Sequence, residues 1–240
     1  MAKKGGDTKL KRQLAPAFWE INRKEKRFAI TIKPGPHAKQ SSYPLAIILR
    51  DILHVTETLH EVEKSLNKGL IMLDGKIVRD PHRAVGLMDV IEIVPSQQSY
   101  RLVPTNGKRL FPILINNNEK NLKLAKITSR VTILGGKNQY GFHDGKTLLS
   151  NESYKVGETC LIEMPKLLVR DHVPLEKGSI AVVTRGENVG SIGQIQEVRD
   201  GLFSLPKRLL ISISERIVEL PASIVMAVGR STAPLIQVAT

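Results

Sequence analysis

The stretch of residues 41–94 changes its hydrophobic period once, and this change constrains the fold more than any other feature of the chain. In its first half, apolar residues recur at helical spacing behind Pro44, a residue that the first turn of a helix tolerates. The pattern predicts a helix that ends near Leu53. Thr58 and Glu61 then form a capping box, which predicts the start of a second helix.

After Gly69, a residue typical of helix ends, the period becomes two. Residues 70–73 and 76–78 flank an Asp-Gly turn and predict a β-hairpin, and residues 90–94 predict one further strand. Two short helices beside a small sheet indicate an α+β unit.

This α+β unit is rich in cations, and a solvated surface is one explanation for them. The order of its predicted helices and strands offers another explanation for these cations. Two helices followed by L-D-G-K-I-V-R-D at residues 73–80 and V-G-L-M-D-V-I-E-I at residues 85–93 resemble the RNA-binding module first named for bacterial small-subunit ribosomal protein four. The resemblance implies that the helices and hairpin lay a basic face against folded RNA. The chain departs from many such modules at residues 56–58, where it reads Thr-Glu-Thr and they carry Ser-Arg. The residues that match this face, with the other cations of the unit, are Arg50, Thr58, His60, Lys64, Lys68, Lys76, Arg79 and Arg83.

Charge is concentrated at the N-terminus. The chain has 36 Lys and Arg against 23 Asp and Glu, a net charge of +13, which indicates nucleic acid or an anionic membrane as the partner. Its apolar runs are far shorter than the roughly 18 residues of a membrane span, so nucleic acid is favoured. Residues 1–40 are expected to stay flexible until RNA neutralises them, with strongly salt-dependent binding. Their candidate RNA contacts are Lys3, Lys4, Lys9, Lys11, Arg12, Arg23, Lys24, Lys26, Arg27, Lys33, His37 and Lys39.

Aromatic residues interleave with these charges. Phe18, Trp19 and Phe28 either stack on bases or dock against the following unit. The sequence L-K-R-Q-L-A-P-A-F-W at residues 10–19, P-G-P-H at residues 34–37 and the module that follows resemble, in this order, the archaeal and eukaryotic small-subunit ribosomal protein four family.

Residues 96–172 are predicted to form an all-β central domain, because short β segments alternate with turns rich in Gly and Asn. Residues 141–147 resemble a phosphate-binding loop, but the spacing is one residue short and strands flank it, so a hairpin turn explains it better. G-G-K-N-Q at residues 135–139 and H-D-G-K at residues 143–146 resemble the central domain of the same family. The predicted strands are residues 100–103, 110–115, 122–127, 131–134, 139–143, 146–149 and 160–164.

Residues 173–240 place three glycines among β-branched residues, which indicates tight bends in a small barrel. The spacing resembles the KOW motif, an SH3-like barrel that meets RNA or protein. Arg185 and Asn188 are candidate phosphate contacts, and surface solvation explains them equally well. Strands are predicted at residues 180–183 and 208–213, and a short helix at residues 221–229.

Nothing in the sequence indicates catalysis. The six histidines fall in different predicted elements, and none has the spacing of a helical metal pair. Cys160 is the only cysteine and lies in an apolar run, so a buried, inert thiol is expected. We therefore expect no catalytic residue, no metal site and no cofactor.

These observations predict an α+β multidomain chain. Its parts are a basic extension (1–40), a ribosomal-protein-four-type RNA-binding module (41–95), the central β domain (96–172) and a KOW-containing barrel (173–240). The resemblance implies a structural, non-enzymatic constituent of the small ribosomal subunit. It would bind small-subunit rRNA and neighbouring ribosomal proteins in the cytoplasm, with no membrane and no small-molecule substrate. The alternatives are an RNA-modifying enzyme or an assembly factor that uses the module for targeting. A KOW-bearing transcription factor would leave the module and the extension unexplained.

Overall fold

The computed structural model describes residues 9–22, 24, 27–105, 108–214, 216–230 and 233–238. Within these residues the chain is mostly β with few helices, and its strands form three five-stranded antiparallel sheets and two two-stranded pairs. None of the helices in these ranges is long and apolar enough to cross a membrane.

The N-terminal segment folds back on the rest of the chain. Strand β1 (Lys9–Lys11) pairs with β2 (Phe28–Ile30), and Leu10 and Trp19 are buried in the first hydrophobic core. The Trp19 indole donates to the Ser42 carbonyl at 2.9 Å. The expectation of a flexible segment is therefore wrong for its described residues, because these apolar side chains have a surface on which to dock.

The first helical stretch follows β3 (Tyr43–Pro44). α1 (Leu45–Ile47) continues as a π-helical segment (Ile48–Ile52), which ends with the Leu53 amide donating to the Ile48 carbonyl at 2.8 Å. Residues 45–49 are all buried, so this stretch is the centre of the first core. The predicted helix is confirmed, with its C-terminal part widened to i→i+5 hydrogen bonds.

The second helix, α2 (Leu59–Asn67), also matches its prediction. Val62 and Leu66 form its buried face, and Gly69 adopts a φ of +71°, the left-handed conformation that ends helices. The chain then enters the first sheet.

The first sheet has the strand order β5-β4-β7-β8-β9. The predicted boundary between residues 95 and 96 lies inside it, because β7 and β8 are neighbouring strands joined by a tight turn in which Gln97 has a φ of +53°. A separate pair joins β3 to β6. The strands are β4 (Ile71–Leu73), β5 (Lys76–Ile77), β6 (Ala84–Val85), β7 (Val90–Ile93), β8 (Gln98–Thr105) and β9 (Lys108–Ile115).

The second sheet has the order β12-β11-β10-β13-β14. β10 is one bent strand where two were predicted, because a bulge between Ile127 and Ser129 lets the chain continue without a turn. β14 was not predicted, since Arg170, Asp171 and His172 interrupt its apolar pattern. The strands are β10 (Leu122–Thr132), β11 (Asn138–Phe142), β12 (Thr147–Ser150), β13 (Thr159–Glu163) and β14 (Leu168–Val173).

The third sheet has the order β18-β17-β16-β15-β19. The predicted helix at residues 221–229 is wrong. Only a 3-10 turn (Ala222–Ile224) forms, and the β-branched residues after it pair with β15 as a strand. The strands are β15 (Ile180–Val183), β16 (Ile192–Arg199), β17 (Arg208–Ile213), β18 (Arg216–Pro221) and β19 (Val225–Gly229).

One hydrophobic core joins the three sheets. Val103 of the first sheet, Leu124 of the second and Val182 of the third belong to a single buried cluster. Ile236 and Val238, near the C-terminus, complete it. The three sheets therefore pack directly against one another and are not separate units joined only by linkers.

Candidate nucleic-acid interface

One face of α2 carries a row of basic side chains. His60, Lys64 and Lys68 are exposed and four residues apart, so they follow one side of the helix, opposite the buried Val62 and Leu66. No ion pair involves these three side chains within the described part of the chain. They are free to meet an anion.

Thr58 begins this helix as its N-cap. The Glu61 amide donates to Thr58 Oγ1 at 3.3 Å, and Glu61 Oε2 in turn accepts from the Glu57 amide at 2.9 Å. The hydrogen bond from the Glu57 amide, followed by one from the Thr58 side chain, holds the pKa of the Glu61 carboxyl below its ordinary value. The Thr58 hydroxyl, a predicted RNA contact, is thus engaged in capping.

A basic pocket of about 850 Å³ lies beside the N-terminal hairpin. It is lined by Lys11, Lys33 and Lys39, and the Arg83 guanidinium reaches its rim near Gly35. Lys33 Nζ also bonds Asp80 Oδ2 at 2.8 Å, but both side chains are well exposed, so this pair is weak and can open. The fold thus brings together four predicted contacts from three separate parts of the sequence, around residues 11, 33–39 and 83.

Several other predicted RNA contacts already interact with residues of this chain, and three more are exposed outside the basic pocket. The Arg12 guanidinium donates to the Ile21 carbonyl, Arg50 forms a two-pronged pair with Asp51 at 2.7 and 2.8 Å, and Arg27 lies 5.5 Å from the centre of the Phe28 ring. Lys24, Lys76 and Arg79 are exposed. The contacts predicted at Lys3, Lys4, Arg23 and Lys26, and the side chain of Lys9, lie outside the described residues.

His37 lies inside the fold, which corrects its assignment to RNA. Its side chain is only 5% exposed, and its Nε2 lies 2.9 Å from Asp89 Oδ2. The ring occupies space that Gly86 leaves open, since a Cβ on Gly86 would lie 2.6 Å from it. Although His37 also lines the wall of the basic pocket, its Nε2 is engaged by Asp89 and its ring offers little surface to a phosphate.

His37 belongs to a buried ion cluster that joins the first and second sheets. At its centre, Lys123 Nζ lies 2.8 Å from Asp74 Oδ2 and 2.9 Å from Asp144 Oδ2, and it also contacts Asp89. Lys146 Nζ bridges Asp74 and Asp144 at 2.6 and 2.8 Å. The members of the buried ion cluster are His37, Asp74, Asp89, Lys123, Asp144 and Lys146.

Within the cluster, Asp89 and Lys123 stay ionised because opposite charges outweigh burial. Burial raises the pKa of Asp89, but Lys123 and His37 hold it well below its ordinary value. Burial likewise lowers the pKa of Lys123, and the three carboxylates raise it well above the ordinary value. Those carboxylates lie within 4.8 Å of one another, a spacing that could hold a metal ion, but the Lys123 ammonium contacts all three and takes that place.

The local sequence pattern did not reveal this cluster. Asp74 is explained as a turn residue, and Asp144 with Lys146 as part of the loop that resembles a phosphate-binding one. One signal was available. Lys123 stands between Leu122 and Leu124 near the start of a predicted strand, and a lysine that becomes buried there requires carboxylate partners.

A second cavity, of about 560 Å³, lies between the second and third sheets and includes Arg185 in its lining. Lys126 Nζ crosses it and donates to the carbonyls of Ala222 and Val225, both at 2.6 Å. Burial and the nearby Arg185 lower the pKa of Lys126 to about 8. Asn188 follows in the same loop, where its backbone carbonyl accepts from the Ser191 amide at 3.1 Å.

Family models and relatives agree on the protein family to which this chain is similar. The model of the ribosomal family S4e matches residues 96–167, and the model of the RS4NT domain matches residues 4–40. The small ribosomal subunit protein eS4 of Ignicoccus hospitalis is 40% identical over 208 residues, which cover 82% of each chain. The eS4 protein of Pyrobaculum arsenaticum is 35% identical over 237 residues, or 95% of this chain and 98% of the relative.

A solved structure shows the same fold. The crystal structure of the 30S ribosomal protein S4e from Thermoplasma acidophilum superposes with a TM-score of 0.70 at 30% identity, covering 82% of this chain and 99% of that chain. The resemblance to the archaeal and eukaryotic small-subunit ribosomal protein four family is thereby confirmed, and the chain belongs to the S4e (eS4) family of ribosomal proteins.

Proposed function

We propose that this chain is a structural constituent of the small ribosomal subunit that binds small-subunit rRNA and contacts neighbouring ribosomal proteins. Membership of the eS4 family supports the ribosomal role, and proteins of this family are structural components and not enzymes. The protein accordingly acts in the ribosome, in the cytoplasm.

Each part of the chain takes a separate role in this proposal. Residues 1–40 are the basic extension. The RNA-binding module, predicted over residues 41–95, includes the whole first sheet and so extends to Ile115. The central β domain follows as the second sheet, and residues 173–240 are the KOW-containing, SH3-like barrel. Arg185 and Asn188 would add a phosphate contact from the third sheet.

The observation that carries the rRNA proposal is the basic pocket. Lys11, Lys39 and Arg83 have no carboxylate partner among the residues that the structure describes, and the fold places them around one concave surface. Lysine and arginine on such a surface neutralise phosphates and release counterions. Recognition would rest on the shape of folded RNA and on its phosphates, with little reading of base edges.

The salt dependence of rRNA binding tests this proposal. The triple variant Lys11→Ala, Lys39→Ala, Arg83→Ala should bind transcribed small-subunit rRNA more weakly. The slope of log affinity against log salt is negative, and its magnitude should decrease by about 2, because each lost phosphate contact removes about 0.7–0.9. Filter binding at five salt concentrations measures that slope.

A matched control removes the same charge elsewhere. Lys137, Lys166 and Lys177 are exposed in turns that connect strands of the second and third sheets, so the triple alanine variant at these positions should keep the slope within about 0.5 of the original. Equal loss in both variants would show that net charge, and not the basic pocket, drives binding.

A further inference from the structure

The turn between β16 and β17 carries an apolar tip. Leu202, Phe203 and Leu205 are 75%, 114% and 50% exposed, so three large apolar side chains project together into solvent. Single exposed apolar residues are ordinary on protein surfaces, but a contiguous group marks a contact site.

This apolar tip is a formed structure. Leu202 and Leu205 exchange backbone hydrogen bonds at 3.1 and 2.6 Å, and Phe203 between them has a φ of +33°, which residues other than glycine rarely adopt. A Cβ on Gly201 would lie 2.8 Å from the Leu205 carbonyl oxygen, so only glycine fits there. Below the tip, Lys207 pairs with Asp200 at 3.1 Å.

The charges around the tip distinguish it from the basic pocket. Residues 192–221 contain four cations and four acids in a chain of net charge +13. Arg199 lies 3.3 Å from Glu197, and Arg208 lies 3.0 Å from Glu219. With these cations paired and no local excess of positive charge, this hairpin has little attraction for phosphates.

We infer that the apolar tip docks into an apolar pocket of a neighbouring protein of the small subunit. Two of its three side chains are aliphatic and cannot stack on bases, whereas an apolar pocket on a protein accommodates all three. A rigid turn loses little conformational freedom when it binds. This inference rests on the proposed function, because it takes the partner from the assembled subunit.

Site-specific photo-crosslinking tests the inference in the full chain. p-Benzoylphenylalanine replaces Phe203 in one chain and Leu134 in a control chain. Leu134 is also fully exposed, but it lies at the β10–β11 turn, in a different sheet from the tip. Both chains are assembled into subunits in cells, irradiated and isolated on a sucrose gradient. The probe at position 203 should crosslink to one subunit protein, and the probe at position 134 should not reach that protein.

The outcomes separate the two proposals. Co-sedimentation with crosslinks to rRNA, or with none, overturns the protein contact alone, whereas absence of the chain from the subunit overturns the proposed function as well. The double variant Leu202→Ser, Phe203→Ser gives a second readout. It should unfold like the original chain, since both side chains lie in solvent, yet exchange out of salt-washed subunits at least about tenfold faster. Unchanged exchange would contradict the inference.

Discussion

At the scale of single residues, Lys123 illustrates when a buried charge is tolerated. Its ammonium is 2% exposed and contacts three carboxylates, so the electrostatic attraction compensates for lost hydration. The three carboxylates depend on Lys123 in the same way. Without the Lys123 ammonium, Asp74, Asp89 and Asp144 would lie buried with incomplete pairing.

Replacement of Lys123 by Met should therefore lower the free energy of unfolding by about 3–5 kcal/mol, as measured by urea denaturation. The matched control is Lys120→Met. Lys120 pairs with Glu92 at 2.8 Å but is one-third exposed, so its loss should cost about 1 kcal/mol or less. Similar losses of unfolding free energy in the two variants would show that the buried ion cluster stabilises the fold no more than an exposed ion pair does.

His143 makes stability depend on pH. Its Nδ1 accepts from the Lys126 amide at 3.1 Å while its Nε2 donates to the Leu87 carbonyl at 3.1 Å, an arrangement that requires the neutral ring. Burial, followed by Lys123, lowers the pKa of His143 to about 4. Between pH 6.5 and 4 the unfolded chain binds this proton and the folded chain does not, so stability falls as pH falls.

The free energy of unfolding should thus decline by about 2 kcal/mol from pH 7 to pH 4.5, since one pKa unit corresponds to about 1.4 kcal/mol. Urea titrations at four pH values give the slope. The variant His143→Gln, which keeps a donor and an acceptor, should flatten it. If this variant retains the full slope, other groups are responsible.

At the scale of elements, α2 forms because its local signals agree. The cap, the apolar face and the glycine end all indicate the same boundaries, so neighbours are not needed to define it. The segment after residue 221 shows the opposite case. Its pattern favoured a short helix, and pairing with β15 made it a strand.

Loss of the cap should be measurable by itself. Thr58→Ala should lower the free energy of unfolding by about 1 kcal/mol, because the Glu61 amide loses its acceptor. Thr58→Ser keeps the hydroxyl and should restore most of that stability. Thermal denaturation followed by circular dichroism compares the three chains, and an alanine variant as stable as the original would argue against the cap.

At the scale of the whole molecule, the C-terminal segment (residues 233–238) contacts the first sheet and the core that the three sheets share. The Arg101 guanidinium, fully buried on β8, donates to the Gln237 carbonyl at 2.9 Å and to Glu119 at 3.0 Å. Ile236 and Val238 on either side of Gln237 enter the shared core. A segment of few residues thus contacts parts of the chain more than a hundred positions away.

The double variant Ile236→Ala, Val238→Ala should lower the free energy of unfolding by about 3 kcal/mol or more, because it removes buried methyl groups from the core that joins the sheets. Leu134→Ala, at an exposed position, should change it by about 0.5 kcal/mol or less. Urea denaturation measures both. A loss confined to the third sheet would show that the sheets unfold independently.

The sequence by itself determined the family, the two helices, the cap of the second helix, most strands and the cations of the N-terminal half. These features depend on residues close together in the chain, where propensity, period and turn chemistry act directly. Tertiary structure alone decided that Trp19 docks, that His37 is buried, and that Lys123 meets Asp74 and Asp89, which lie 49 and 34 residues away. Such contacts form only when separate sheets pack, and no local pattern records which distant partner will neutralise a buried charge.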